Sequence, residues 1–275
     1  MFPVLFHAGS LTVHTYGVVL MLAFLAALGR AYTVAKRRAD PTLPPDSILD
    51  VGIWMILVGT LGARLLFVAV GWRDYSHAPD FPANIFKVWE GGLSFHGGLF
   101  AGIAALIGYC LIKRLSILRV ADLFAPSVML AYVIGRLGCF FNGCCYGAPT
   151  AMPWGIRFHD DGIITPPSHP TQLYASALSL VFFAGLVRLE RRQTYRGQII
   201  CWYMLGASVE RFLMEIWRAG TTSTVVALGL TDVQWLCLVM ASVALTGMAV
   251  FRRRFPVPPA ALPPASRAPL EAALR

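Results

Sequence analysis

The chain alternates long apolar runs with short polar breaks. Seven runs approach or exceed the roughly 20 residues that a helix needs to cross a bilayer. They are Thr15 to Ala35, Ser47 to Val70, Leu93 to Ile112, Val120 to Phe141, Gln172 to Val187, Gln198 to Trp217 and Asp232 to Phe251, the fifth being the shortest. Run and loop lengths vary and no motif recurs, so no internal repeat is read. The pattern predicts an all-α polytopic membrane protein of about seven transmembrane helices, forming one transmembrane domain over residues 1–255. Two longer breaks, residues 71–92 and 142–171, carry Trp, Pro, Asn and Gly. They are expected to form a small cap on one side. Residues 256–275 are rich in Pro and Ala and read as a disordered tail.

Composition supports this class. Hydrophobic residues make up 57% of the 275 and charged residues 13%, about half the charged share of a soluble domain. The mean hydropathy is +0.63. So little charge cannot cover an aqueous surface, and it excludes bulk disorder and a nucleic-acid-binding module. Six cysteines are too sparse for a small disulfide scaffold.

The net charge of +9 acquires meaning from its placement. Arg30 lies in the last turns of the first run, with Lys36, Arg37 and Arg38 after it; Lys113, Arg114 and Arg119 follow the third and Arg188, Arg191, Arg192 and Arg196 the fifth. Arg252, Arg253, Arg254, Arg267 and Arg275 follow the seventh. The opposite loops hold only Arg73, Lys87, Arg157 and Arg218. Positive loops stay in the cytoplasm, so the N-terminus is expected outside and the C-terminus, with its tail, inside. No base precedes the first apolar run, unlike a secretory signal. The first run is therefore expected to be an uncleaved anchor.

That direction gives each polar residue inside a run a depth. Tyr16 begins the first run at the outer face, Arg64 lies in the outer half of the second, and His96 begins the third. Arg136 lies near the outer end of the fourth, with Arg211 and Glu215 near that of the sixth. A single arginine can snorkel, and Arg211 with Glu215 at i, i+4 can be a plain ion pair. Several such groups at one depth point instead to function. The excess is cationic, and a guanidinium binds phosphate through two parallel hydrogen bonds. In the outer leaflet the available phosphate is a lipid head group. His96 is the natural proton-transfer group, and Gly91, Gly92, Gly97 and Gly98 around it allow close backbone approach to an anion or close helix packing. Between Gly135 and Gly147, Gly135 and Gly138 suit close packing and Asn142-Gly143 signals a turn. Arg136, Arg211 and His96 are expected to line an outward-opening cavity.

These stretches resemble the prolipoprotein diacylglyceryl transferase family. Tyr16-Gly17 looks like its N-terminal signature, Leu61-Gly62-Ala63-Arg64 like its Gly-Arg pattern, and Trp89 to Gly98 like its histidine motif. Gly135 to Gly147 is similar to the family signature sequence. His169-Pro170-Thr171-Gln172-Leu173-Tyr174 resembles its His-Pro-Ser/Thr-Gln-Leu-Tyr element, and Glu210-Arg211-Phe212 with Glu215 its late Arg/Glu element. The ordered set spans about residues 16–235. The resemblance implies a multi-pass enzyme of the bacterial inner (cytoplasmic) membrane whose active site faces the periplasm. It would transfer the diacylglyceryl group of phosphatidylglycerol to the lipobox cysteine of a preprolipoprotein signal peptide. A thioether forms and glycerol 1-phosphate leaves, with no metal or organic cofactor implied.

On that reading His96 activates the acceptor thiol, whose ordinary pKa is about 8.5. Arg136 and Arg211 hold the head-group phosphate, with Arg64, Gly97 and Gly98 as further lipid contacts. Tyr16 hydrogen-bonds the lipid or orients a partner. Glu215 orients Arg211, while Glu210, Asn142, Gly138, Gly147 and His169 support the site. Three positions depart from the common pattern: Cys139 stands where many members carry Asn, Cys144 where many carry Glu, and Ala175 where Glu is usual. Cys139, Cys144 and Cys145 are expected to be structural, with one disulfide among them in an oxidising compartment. The three Cys with His169 could bind zinc, but their spacing lacks a paired Cys-x-x-Cys, which argues against it. Cys110, Cys201 and Cys237 read as packing residues. Two rival readings differ in class. An inactive relative would bind anionic lipid or lipoprotein precursors only. An anionic-solute transporter predicts inverted repeats and a midplane site, neither of which is visible.

Overall fold

The structure is a computed structural model that describes residues 4–8, 11–87, 91–160, 163–218 and 224–256. Trp89, Glu90 and the tail beyond Pro256 lie outside the described residues. Its helices are α1 (Thr15–Arg38), α2 (Pro45–Val70), α3 (Trp72–Ser76), α4 (Phe95–Ile112), α5 (Ile117–Asn142), α6 (Thr171–Glu190), α7 (Gln198–Trp217) and α8 (Asp232–Arg254). Three short antiparallel hairpins accompany them: β1 (Val4–Ala8) with β2 (Leu11–His14), β3 (His159–Asp160) with β4 (Ile163–Ile164), and β5 (Val225–Ala227) with β6 (Leu230–Thr231).

Six helices among the described residues are long and apolar enough to cross a membrane: α1, α2, α4, α5, α6 and α8. Helix α7 has 20 residues, but Glu210, Arg211 and Glu215 lower its apolarity. The chain is a polytopic helical membrane protein. On α2, Ile53, Leu57, Leu61 and Leu65 are exposed at four-residue spacing. Such an apolar stripe suits lipid, not water.

The chain divides into two compact units, residues 31–120 and residues 1–30 with 121–275. In the first, α2 and α4 meet through glycines. A Cβ on Gly62 would stand 2.8 Å from the Gly97 carbonyl oxygen, and one on Gly97 2.7 Å from the Leu66 Cβ. Helices in lipid gain little from apolar burial, so close contact through small residues drives their association.

In the other unit, Ala125 and Met129 of α5 pack with Leu186 of α6 and Ile199 of α7. The Ser176 hydroxyl donates to the Val133 carbonyl at 3.1 Å, tying α6 to α5. The Asp122 carboxylate accepts from the backbone N–H groups of Gly197 (2.6 Å) and Ile200 (2.9 Å) and from Gln193 Nε2 (2.5 Å). It thereby caps the start of α7, whose first N–H groups lack helical partners. At the same end of the unit, Arg30 pairs with Glu190 at 2.5 Å and donates to the Ser127 hydroxyl at 3.1 Å. These contacts set α5 and α7 in fixed register.

Candidate active site

Arg136 stands on the last two turns of α5. Its Nη2 donates to the Tyr132 hydroxyl one turn earlier, and its guanidinium lies 4.7 Å from the centre of the Tyr132 ring. The Tyr132 hydroxyl in turn donates to Glu210 Oε2 on α7 at 3.0 Å. Glu210 is buried. The result is a charged chain, Arg136–Tyr132–Glu210, that bridges two helices. Arg136 Nε and Glu210 Oε1 are both buried without a hydrogen-bond partner among the described residues. Such groups are uncommon and suit a site that meets a polar ligand. The next residue, Arg211, pairs with Glu215 at 2.6 Å one turn on. The Glu215 side chain is 1% exposed and that of Arg211 25%, so the carboxylate anchors a guanidinium that keeps an accessible side.

Gly138 brings α1 against this end of α5. A Cβ there would lie 3.1 Å from Val19 Cγ1 and 3.4 Å from Tyr16 Cδ2. Tyr16 thus sits half a turn beyond Arg136, with its side chain partly exposed.

After Asn142, the last residue of α5, the chain reverses through Gly143 (φ 83°) and Cys145 (φ 66°). The left-handed region is easy for glycine and uncommon for cysteine. The turn is held from outside: Gln172 Nε2 donates to the Cys144 carbonyl at 2.6 Å and the Thr171 hydroxyl to the Cys145 carbonyl at 2.9 Å. Gly147 N–H donates to the His169 carbonyl at 2.8 Å, and Ala148 N–H to the Trp217 carbonyl at 2.7 Å. A Cβ on Gly147 would stand 2.7 Å from Thr171 Cγ2, so only glycine fits. His169 Nδ1 lies 3.3 Å from the Tyr174 hydroxyl, which accepts from Trp154 Nε1 at 2.8 Å. His169, Gln172 and Gly147 therefore fasten the loop after α5 to α6 and to the end of α7.

The sulfurs of Cys139, Cys144 and Cys145 lie within 4.8 Å of one another. All three are free thiols, so the expected disulfide is not formed. The neighbouring Cys139 and Cys144 thiols hold the pKa of the Cys145 thiol below its ordinary value. The Cys144 thiol donates to the Cys139 carbonyl at 3.8 Å.

In the unit of residues 31–120, Arg64 is 4% exposed. Its Nε donates to the Ile85 carbonyl (2.8 Å), Nη1 to those of Gly91 (2.7 Å) and Gly92 (3.1 Å), and Nη2 to that of Asn84 (2.6 Å). Four of its five N–H groups are thereby committed to one loop. The geometry makes Arg64 a loop clamp and leaves little for the phosphate contact expected of it. His96, in the first turn of α4, is exposed, with its ring 5.7 Å from that of Phe95. Gly97 and Gly98 face α2: a Cβ on Gly97 would press on Leu66 Cβ at 2.7 Å, whereas one on Gly98 would meet Ala63 Cβ at 3.4 Å, an ordinary contact.

Two residues escaped the reading of the sequence. Tyr132 carried a signal, a hydroxyl one helical turn from an arginine inside an apolar run. Asp122 carried little, because its partners lie more than 70 residues away.

Comparison with known proteins identifies the family of the chain. Residues 3–250 match the family described as prolipoprotein diacylglyceryl transferase. A phosphatidylglycerol–prolipoprotein diacylglyceryl transferase of Idiomarina loihiensis is 34% identical over 259 residues, covering 92% of this chain and 94% of the relative. A protein of the same name from Bordetella bronchiseptica is 34% identical over 260 residues, covering 92% and 96%. One from a Nostoc species is 31% identical over 257 residues, covering 85% and 89%. Matched across nearly its whole described length, this chain belongs to the prolipoprotein diacylglyceryl transferase family.

Proposed function

We propose that the protein transfers the diacylglyceryl group of phosphatidylglycerol to the lipobox cysteine thiol of a preprolipoprotein. The sulfur attacks the glycerol carbon that bears the phosphate ester, the C–O bond breaks, and glycerol 1-phosphate leaves with the electron pair. The observation that carries this reading is the pair of anchored guanidiniums. Arg136 is held by Tyr132 and Glu210, and Arg211 by Glu215. Fixed positive charge beside a departing phosphate stabilises the transition state without reorganisation.

In this assignment Arg136 and Arg211 bind the head-group phosphate, and Tyr16 hydrogen-bonds the lipid. His96 takes the thiol proton, since the thiolate is the reactive form. Glu210, Tyr132 and Glu215 are positioning residues. Asn142, Gly138, Gly147 and His169 shape the turn and loop that follow α5, and Arg64 holds the loop before α4. The protein sits in the bacterial inner membrane, with its N-terminus and active site on the periplasmic side. Translocated signal peptides and lipid head groups meet there.

The test is purified protein in phosphatidylglycerol vesicles with a lipobox peptide. The expected result is a peptide heavier by one diacylglyceryl group, with release of glycerol 1-phosphate. A peptide with Ser in place of the lipobox Cys is expected to stay unmodified. An unmodified Cys peptide, with folded protein and lipid present, would overturn the assignment. The same assay separates an inactive lipid-binding relative, which retains the peptide or lipid but yields no thioether.

A further inference from the structure

The thiol cluster after α5 has a chemistry that the arginine site leaves unused. Three sulfurs lie within 4.8 Å of one another. On a tetrahedral zinc ion, with Zn–S near 2.3 Å, three sulfurs stand about 3.8 Å apart. Small thiol movements therefore suffice. Cys139 and Cys144 are separated by four residues, a spacing at the upper end of that common in zinc sites. The intervening reversal at Gly143 and the left-handed Cys145 turn the sulfurs inward from a helix end and its exit loop. Three thiolates on a divalent ion carry one net negative charge. Arg136, one helical turn before Cys139 on α5, supplies a positive charge at the same helix end.

The cluster is also close to residues assigned to the reaction. Cys139 lies one helical turn after Arg136, and Gly138, its neighbour, packs on Tyr16. Three protein ligands leave a fourth tetrahedral position open, as in catalytic rather than structural zinc sites. A thiol that coordinates zinc is deprotonated outright. The proposed reaction needs a thiolate acceptor.

We propose that Cys139, Cys144 and Cys145 bind one Zn(II) ion with an open fourth position, and that this position takes the acceptor thiol. The second half rests on the diacylglyceryl transfer proposed above. On binding, the acceptor S–H loses its proton to a base or to water, and the sulfur keeps its electron pair on the metal. That pair then forms the S–C bond as the C–O bond to the phosphate breaks. No electron is gained or lost by the metal.

The test uses the full chain in detergent, reduced and stripped of metal with a chelator, with Co(II) as the optical probe. A sulfur-to-cobalt charge-transfer band is expected to saturate at one equivalent and to be bleached by one equivalent of Zn(II). Cys139→Ser and Cys144→Ser are expected to weaken binding roughly 100-fold, while Cys110→Ser leaves it unchanged. A lipobox Cys peptide is expected to intensify the band and its Ser counterpart to leave it alone. No band, or a disulfide among the three cysteines in protein taken directly from membranes, would overturn the metal site. A band indifferent to the Cys peptide would overturn the thiol step. Transfer at full rate by stripped protein would remove the metal from the reaction while leaving diacylglyceryl transfer standing. Absence of transfer in the loaded protein, with the optical results intact, would instead strike the transfer reading alone.

Discussion

Arg64, Arg136 and Arg211 lie inside long helices, and their partners separate them. Arg64 gives its donors to backbone carbonyls of one loop, whereas Arg211 rests on a single buried carboxylate and keeps a quarter of its side chain accessible. Arg211→Ala is therefore expected to lower turnover about 10²–10³-fold, as for loss of one transition-state donor, at near-normal abundance in the membrane. Arg64→Ala strands four carbonyls and is expected to cost roughly 3 kcal/mol of stability. It shows first as lost abundance and a lower unfolding temperature. Wild-type turnover by Arg211→Ala at matched abundance would count against its phosphate role. Tyr132→Phe removes the hydroxyl between Arg136 and Glu210 and keeps the ring under the guanidinium. It is expected to cut the rate about 10²-fold through misplacement of Arg136 while the protein stays folded. Transfer assays beside thermal unfolding in detergent separate the two effects.

At the scale of elements, apolar runs located every long helix, and ends shifted where charges found partners. The fifth apolar run extends from Gln172 to Val187, yet α6 spans Thr171–Glu190. Glu190 at its end pairs with Arg30 at 2.5 Å, so the polar last turn has a reason to stay helical. Helix α8 likewise extends to Arg254, because three arginines in its last turn complement the helix dipole. The three hairpins escaped because strands of two to five residues leave little periodic signal. The α2–α4 contact yields a sharp prediction. Gly62→Ala presses a methyl group against Ala101 and the Gly97 carbonyl, and is expected to destabilise by about 1–3 kcal/mol. Gly108→Ala on the same α4 meets nothing within 4 Å and is expected to be neutral or slightly stabilising. Equal unfolding temperatures for the two variants would refute the close-packed contact.

For the whole molecule, the distribution of Lys and Arg predicts direction. Sixteen of the 23 lie at the ends of odd-numbered runs or in the tail, so the C-terminus is expected in the cytoplasm. A fluorescent protein fused there should glow, and alkaline phosphatase fused there should be inactive. The reverse pair of results would invert the topology and move Arg136 and Arg211 to the cytoplasmic leaflet.

Read alone, the sequence establishes the membrane class, the helical runs and the family, and it nominates a short set of residues to handle a phosphate. Each of these is written in local order, as hydropathy over 20 residues or as a motif of neighbours. The packed fold shows which of those residues are committed to backbone and which keep an accessible side. Arg64 and Arg211 are indistinguishable as letters in apolar runs. One faces carbonyls about 20–28 residues away, and the other faces its own helix. The Arg136–Tyr132–Glu210 chain spans 78 residues between its tyrosine and its glutamate. The gathering of three thiols depends on a backbone reversal at Gly143 and Cys145. A buried charge must be satisfied by whatever the fold brings near it, and that neighbour is a property of the packed chain.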